Sequence, residues 1–185
     1  EKSKLIDTPG FKEWFDTVLL EEAVSSTRWI IHDDDEASAK LADNAIAYLE
    51  GCGVKIENRV SFDEFDAGTK FDGSVIVLAA AVERGSRLQS VSRRLRTAQQ
   101  SGTRLYIAGS LFGRSYQTMN ELRANLTQPA KDHSRFIFKT YIEVPAAELA
   151  CVGHWEKERD LLQSLHSINS KFSDPITKRM EVFNQ

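Results

Sequence analysis

Cysteine is scarce in this chain. Cys52 and Cys151 stand about a hundred residues apart, with no C-x-x-C pair and no neighbouring histidines, so neither a disulfide framework nor a zinc-binding spacing is signalled. Both read as core thiols. Long apolar runs are missing too: none approaches the ~18 residues that cross a bilayer. The charged start Glu1-Lys2-Ser3-Lys4 leads into no signal-peptide segment, so a cytoplasmic chain without a membrane partner is expected. G-x-S-x-G, Walker A and H-E-x-x-H patterns are absent, which leaves hydrolase and NTPase assignments without direct support. No internal repeat or low-complexity tract occurs. The lack of an initiator Met and the polar, unpatterned ends suggest a domain taken from a longer protein.

What is present fits one ordinary domain. The chain has 185 residues, 41% of them hydrophobic and 28% charged, which excludes disorder and favours one compact core with a small helical appendage at most. The net charge of -3 hides a strong division along the chain. Residues 1–75 carry 17 acids and 8 bases, whereas residues 84–120 carry seven Arg, no Lys and no acid. Arginine in preference to lysine favours forked recognition of phosphate or carboxylate, and so an anionic ligand.

Hydrophobic periodicity gives the element order. Thr8-Pro9 reads as an N-cap with proline at the first helical position, opening an amphipathic helix over about 9–24 with Phe11, Trp14, Phe15, Val18 and Leu19 on one face. Arg28–His32 reads as a strand, and Asp33–Glu36 opens a helix that runs through Leu49 and stops at Gly51 and Gly53. Val54–Ile56 reads as the next strand, and Phe62–Asp72 as a polar, turn-rich stretch. Ser74–Ala81 is a continuous apolar run of the kind buried on both faces in parallel sheets. A helix over Ser86–Gln100, a strand at Leu105–Ala108, a helix over Tyr116–Leu126, a strand over Arg135–Val144 and a helix over about 154–168 complete the pattern. Strands alternating with helices predict an α/β, Rossmann-like, mostly parallel sheet with flanking helices.

Ligands in such sheets bind at the carboxyl ends of the strands, here the loops after His32, Ala81 and Ala108. In the second loop Gly85 allows close backbone approach, and Arg84, Ser86 and Arg87 surround a helix N-terminus that favours an anion. Arginine has the wrong sign for that end of the helix dipole, so either Glu83 or a phosphate should compensate it. Asp33, Asp34 and Asp35 in the first loop suit an N-cap, a ligand hydroxyl or a metal. A receiver-type Mg²⁺ site would also need an aspartate at the end of the central strand, which the strand ending at Ala81 does not supply. In the third loop Ser110, Phe112, Arg114 and Tyr116 suit base stacking and phosphate contact, or serve as lids over the core. His32, His133, His154 and His166 show no metal spacing and read as structural.

The segment Ser74–Gly113, SVIVLAAAVERGSRLQSVSRRLRTAQQSGTRLYIAGSLFG, resembles the phosphoribosyl-diphosphate-binding region of type I phosphoribosyltransferases: a hydrophobic strand, a glycine-containing phosphate loop, a helix and a strand. The resemblance implies that the loop from Glu83 to Arg87 cradles a 5′-phosphate. The two adjacent acids with which that family holds ribose hydroxyls and organises Mg²⁺ are replaced by Ala79 and Ala80. What it implies is therefore a catalytically degenerate module for a nucleotide or phosphoribosyl compound; beside it, the third loop offers Arg114 as a further ligand contact, and the Asp33–Asp35 carboxylates leave Mg²⁺ as a candidate cofactor. Family members that have lost these acids occur as accessory components of bacterial defence systems, which by analogy implies a protein partner or fused domain. Two other readings stay open. One is a glycosyl-transfer or N-glycosidase enzyme using acids from neighbouring loops; the other is a protein or nucleic-acid interaction module with a basic surface of Arg93, Arg94, Arg96 and Arg104.

Overall fold

The computed structural model describes residues 2–66, 68–128, 135–146 and 161–162. The chain divides into two units, Glu1–Pro145 and Ala146–Gln185, and the sheet lies in the first. The expected helix over about 154–168 falls outside the described residues apart from Leu161 and Leu162, which are helical. Cys151, His133, His154 and His166 fall outside them as well.

In chain order the elements are α1 (Lys2–Ile6), α2 (Pro9–Glu22), β1 (Thr27–His32), α3 (Glu36–Gly51), β2 (Asn58–Ser61), β3 (Ser74–Val82), α4 (Ser86–Ala98), β4 (Arg104–Gly113), α5 (Tyr116–Thr127) and β5 (Phe136–Pro145). The strands form one sheet in the order β2-β1-β3-β4-β5, and every neighbouring pair is parallel. This is the α/β Rossmann-like architecture that the alternating pattern predicts.

Strand alternation builds two apolar cores. On β3, Ile76, Leu78 and Ala80 face a cluster made with Phe11, Phe15, Leu19, Leu41 and Leu49 of α2 and α3. Val75, Val77 and Ala79 face the other side, against Leu88, Val91 and Leu95 of α4 and Leu122 and Leu126 of α5. All nine residues of β3 are buried, because helices cover both faces of the central strand. Thr8 caps α2 through a bond from the Phe11 amide, with Pro9 at the first helical position. Trp14 is only partly buried and packs against Tyr141 of β5 at 5.2 Å between ring centroids.

Four expectations are corrected. Val54–Ile56 is not a strand: the Val54 amide closes the end of α3 on the Leu49 carbonyl, and pairing with β1 begins only at Asn58. β2 is polar because it is an edge strand, which the search for an apolar run misses. The strand expected at Leu105–Ala108 continues to Gly113, so Ser110 and Phe112 belong to β4 and pair with Ile142 and Val144 of β5. Cys52, expected in the core, is exposed at the C-cap of α3. The polar stretch after β2 also contributes to the core, since Phe62 and Phe65 are buried beneath it. Among the described residues, no helix is long and apolar enough to cross a membrane.

Candidate functional site at the carboxyl edge of the sheet

The chain leaves β1 towards β2 on one side of the sheet and continues from β3 towards β4 and β5 on the other. A crevice forms where the direction of winding reverses, at the carboxyl ends of β1 and β3. A cavity of about 270 Å³ lies there, lined by residues 81–88 together with Asp33 and Phe62. The loops expected to carry chemistry after β1 and after β3 thus meet at one place.

The helix N-terminus in this cavity has no side-chain cap. Gly85 is the N-cap of α4, with φ +68° and no side-chain hydrogen bond to the first turn. A Cβ at Gly85 would stand 2.6 Å from Leu122 Cδ2, so the tight turn and the packing of α5 both require glycine. The first residues of α4 therefore line the cavity with no capping side chain on their amides, at the positive end of the helix dipole.

Arg87, in the first turn of α4, is compensated by acids of other loops. Its Nη1 lies 3.1 Å from Asp33 Oδ1, and its Nη2 donates to Asp34 and, at 3.2 Å, to Asp63 Oδ1. The guanidinium also lies over the Phe62 ring, 5.8 Å from its centroid. Glu83, the acid expected to do this, is exposed and makes no hydrogen bond or ion pair among the described residues, and the same is true of Arg84. Ser86 is exposed on the first turn.

Asp33, Asp34 and Asp35 divide the work. Asp35 is the N-cap of α3: its Oδ1 accepts from the Ser38 amide at 3.0 Å and its Oδ2 from the Ser38 hydroxyl at 3.0 Å. Ser38 Oγ in turn accepts the Ala80 amide at 2.8 Å, which continues the polar order beyond the end of β1. Asp34 accepts the Asp63 amide at 3.2 Å while it holds Arg87. The carboxylates nearest the cavity thus face a guanidinium, and among the described residues no group of three or more acids, histidines or cysteines is arranged to hold a metal. These residues do not fit a Mg²⁺ site.

Asp63 and Phe62 escaped the reading of the sequence because they lie in a stretch that looks like simple turn. Their position depends on Arg94, whose Nη1 and Nη2 donate to the Phe65 and Phe62 carbonyls at 2.6 and 2.7 Å. Within the same turn the Ser61 amide donates to Glu64 Oε2 at 3.0 Å and the Glu64 amide to Ser61 Oγ at 3.4 Å. The backbone bond from Ser61, followed by its hydroxyl, holds the Glu64 carboxyl below its ordinary range.

The remaining expected site residues lie elsewhere. Arg114 is exposed after β4 and does not line the cavity. Phe112 and Tyr116 are 39% and 49% exposed near it. Ala79 and Ala80 are buried in the two cores, and it is Ala81, Val82 and Glu83 that reach the cavity wall. His32 is buried, its Nδ1–H donating to the Asp33 carbonyl at 2.7 Å, which is a structural role.

No family model matches the chain, and searches of curated proteins and of solved structures give no match. The chemistry of the site is therefore argued from its geometry. A neutralised Arg87, an Arg84 without a partner among the described residues and an open helix N-terminus present a cation and a set of amide donors at a winding reversal, an arrangement suited to a single phosphoryl group.

Proposed function

We propose that this chain is a phosphoribosyltransferase-like binding module, without the sugar-binding acids, which takes the phosphate of a nucleotide or phosphoribosyl compound at the N-terminus of α4. The observation that carries this reading is the uncapped α4 N-terminus opening into a cavity where the winding of the sheet reverses, with Arg84 beside it and, among the described residues, unpaired. The oxygens of the phosphate accept from the first amides of α4, and Arg84 neutralises its charge. A cavity of about 270 Å³ falls just below the ~300–1,000 Å³ of ordinary ligand sites, so it seats the phosphate and sugar while a base projects outward. Arg87 serves the site from within, holding the β1–α3 and β2–β3 loops against the first turn. With Ala79 and Ala80 inside the cores, and with Glu83 the one carboxylate among the described lining residues that makes no ion pair, the site is built to bind and not to transfer. The module acts as a sensor within a larger or multi-subunit system.

Calorimetric titration of the chain with adenosine monophosphate and with phosphoribosyl diphosphate tests this. Either ligand should bind without Mg²⁺, and Arg84→Gln should weaken it about tenfold, the value of one charge-assisted contact of ~1.5 kcal/mol. Absence of heat with both compounds, or equal binding by the variant, would refute the site.

A further inference from the structure

A second polar cavity, of about 260 Å³, lies on the α4–α5 face, lined by Gln89, Ser92, Arg93 and Arg96 of α4 with Asn125 and Gln128 among the residues of α5 and its C-cap. Of the four arginines expected to form a basic surface, Arg94 and Arg104 are turned to structural use. Arg94 holds the turn after β2, and Arg104 is buried, its Nε donating to Gln99 Oε1 at 2.6 Å and its Nη2 to the Leu95 carbonyl at 2.9 Å. Arg93 and Arg96 remain, both exposed and, among the described residues, with no hydrogen bond or ion pair.

Among the described residues, no carboxylate pairs with the charge beneath this groove. Ser92, in its wall, is hydrogen-bonded at 3.1 Å to the hydroxyl of Tyr106, which is fully buried. Behind Tyr106 stands Arg104, 3% exposed, its guanidinium over the Phe136 ring at 4.4 Å to the centroid; among the described residues it has no carboxylate partner and its Nη1 no hydrogen-bond partner. α4 contains four arginines and no acid; on α5 Glu121 takes a bond from Gln117, and Arg123 pairs with Glu143. An anion in the groove would thus meet Arg93 and Arg96 directly and a buried cation behind them.

We propose that the α4–α5 groove docks an acidic segment of a partner protein. Paired guanidinium groups suit two carboxylates, and the amides of Gln89, Asn125 and Gln128 can both donate to and accept from a peptide backbone. Nucleic acid fits less well, because no aromatic residue is among those lining the groove for base stacking. The groove involves none of the residues of the phosphate site and stands independently of that reading.

Fluorescence anisotropy on the full chain tests the proposal, with a labelled peptide of alternating glutamate and glycine, its glutamine counterpart and a labelled oligothymidylate. The glutamate peptide should bind in preference to the other two. Arg93→Gln with Arg96→Gln should weaken it at least tenfold, as expected for the loss of two charge-assisted contacts, while Arg84→Gln leaves it unchanged. Failure of the glutamate peptide to bind, equal binding by the double variant, or tighter binding of the oligothymidylate at the same salt would overturn it.

Discussion

Helices α3 and α4 begin at the same edge of the sheet, after neighbouring strands, and their N-termini are treated in opposite ways. α3 is closed by its own chain: Asp35 accepts from Ser38, and Glu36 adds a second negative charge in the first turn. α4 has glycine at the N-cap, no side-chain cap and arginine in its first turn. A carboxylate at a helix N-terminus satisfies amide donors and complements the dipole. With glycine at its N-cap, α4 gives up only roughly a few tenths of a kcal/mol of ordinary capping, and the same donors stay available to an anion from outside. Arg87 avoids the electrostatic penalty by pairing with Asp33, Asp34 and Asp63, so the acids of two loops stabilise the open end of α4.

This contrast can be broken from either side. The largest effect is expected at the α4 N-cap, where Gly85→Val places a β-branched residue at positive φ and drives its Cβ towards Leu122. Urea denaturation should show a loss of about 3 kcal/mol, combining backbone strain with overpacking. A loss under 1 kcal/mol would mean that the turn can relax and that glycine is not required there.

A smaller change is expected when α3 is opened to resemble α4. Asp35→Ala removes the cap and the acceptor of the Ser38 hydroxyl, and should cost about 1 kcal/mol by the same measurement. An unchanged midpoint would show that the two helix starts differ less than their geometry suggests.

The smallest effect concerns Glu64, which with Ser61 closes the neighbouring turn as Asp35 closes α3. Its carboxyl titrates below the usual 4.5 in the folded chain, so its contribution is present above that pH and is lost as pH falls through the lowered value. The urea midpoints of the parent and of Glu64→Gln should therefore differ at pH 6 and converge towards pH 3. A constant difference across that range would assign the effect to something other than the charge.

Much of the fold was legible because it rests on local patterns. The run Ser74–Ala81 announced a strand covered on both faces, and Thr8-Pro9 and the acidic run Asp33–Glu36 announced helix starts by chemistry that acts within four residues. The edge strand β2 was misplaced because a strand with one partner and a polar face carries no apolar period. Arg94 and Arg104 were read as surface because a charged side chain signals exposure unless the carbonyls it will meet are known, and these come from Phe62, Phe65 and Leu95.

The sequence by itself determined the alternation of strands and helices, the glycine at the start of α4 and the segregation of acids from arginines along the chain. It could do so because periodicity, backbone conformation and charge are properties of residues and their near neighbours. Only the tertiary structure decided which arginines are neutralised, which hold carbonyls and which stay free. Asp33 and Asp34 reach Arg87 across more than fifty residues, and Asp63 joins them only because β2 lies beside β1. Ion pairing depends on distance in space, and parallel strand order brings these loops to one edge.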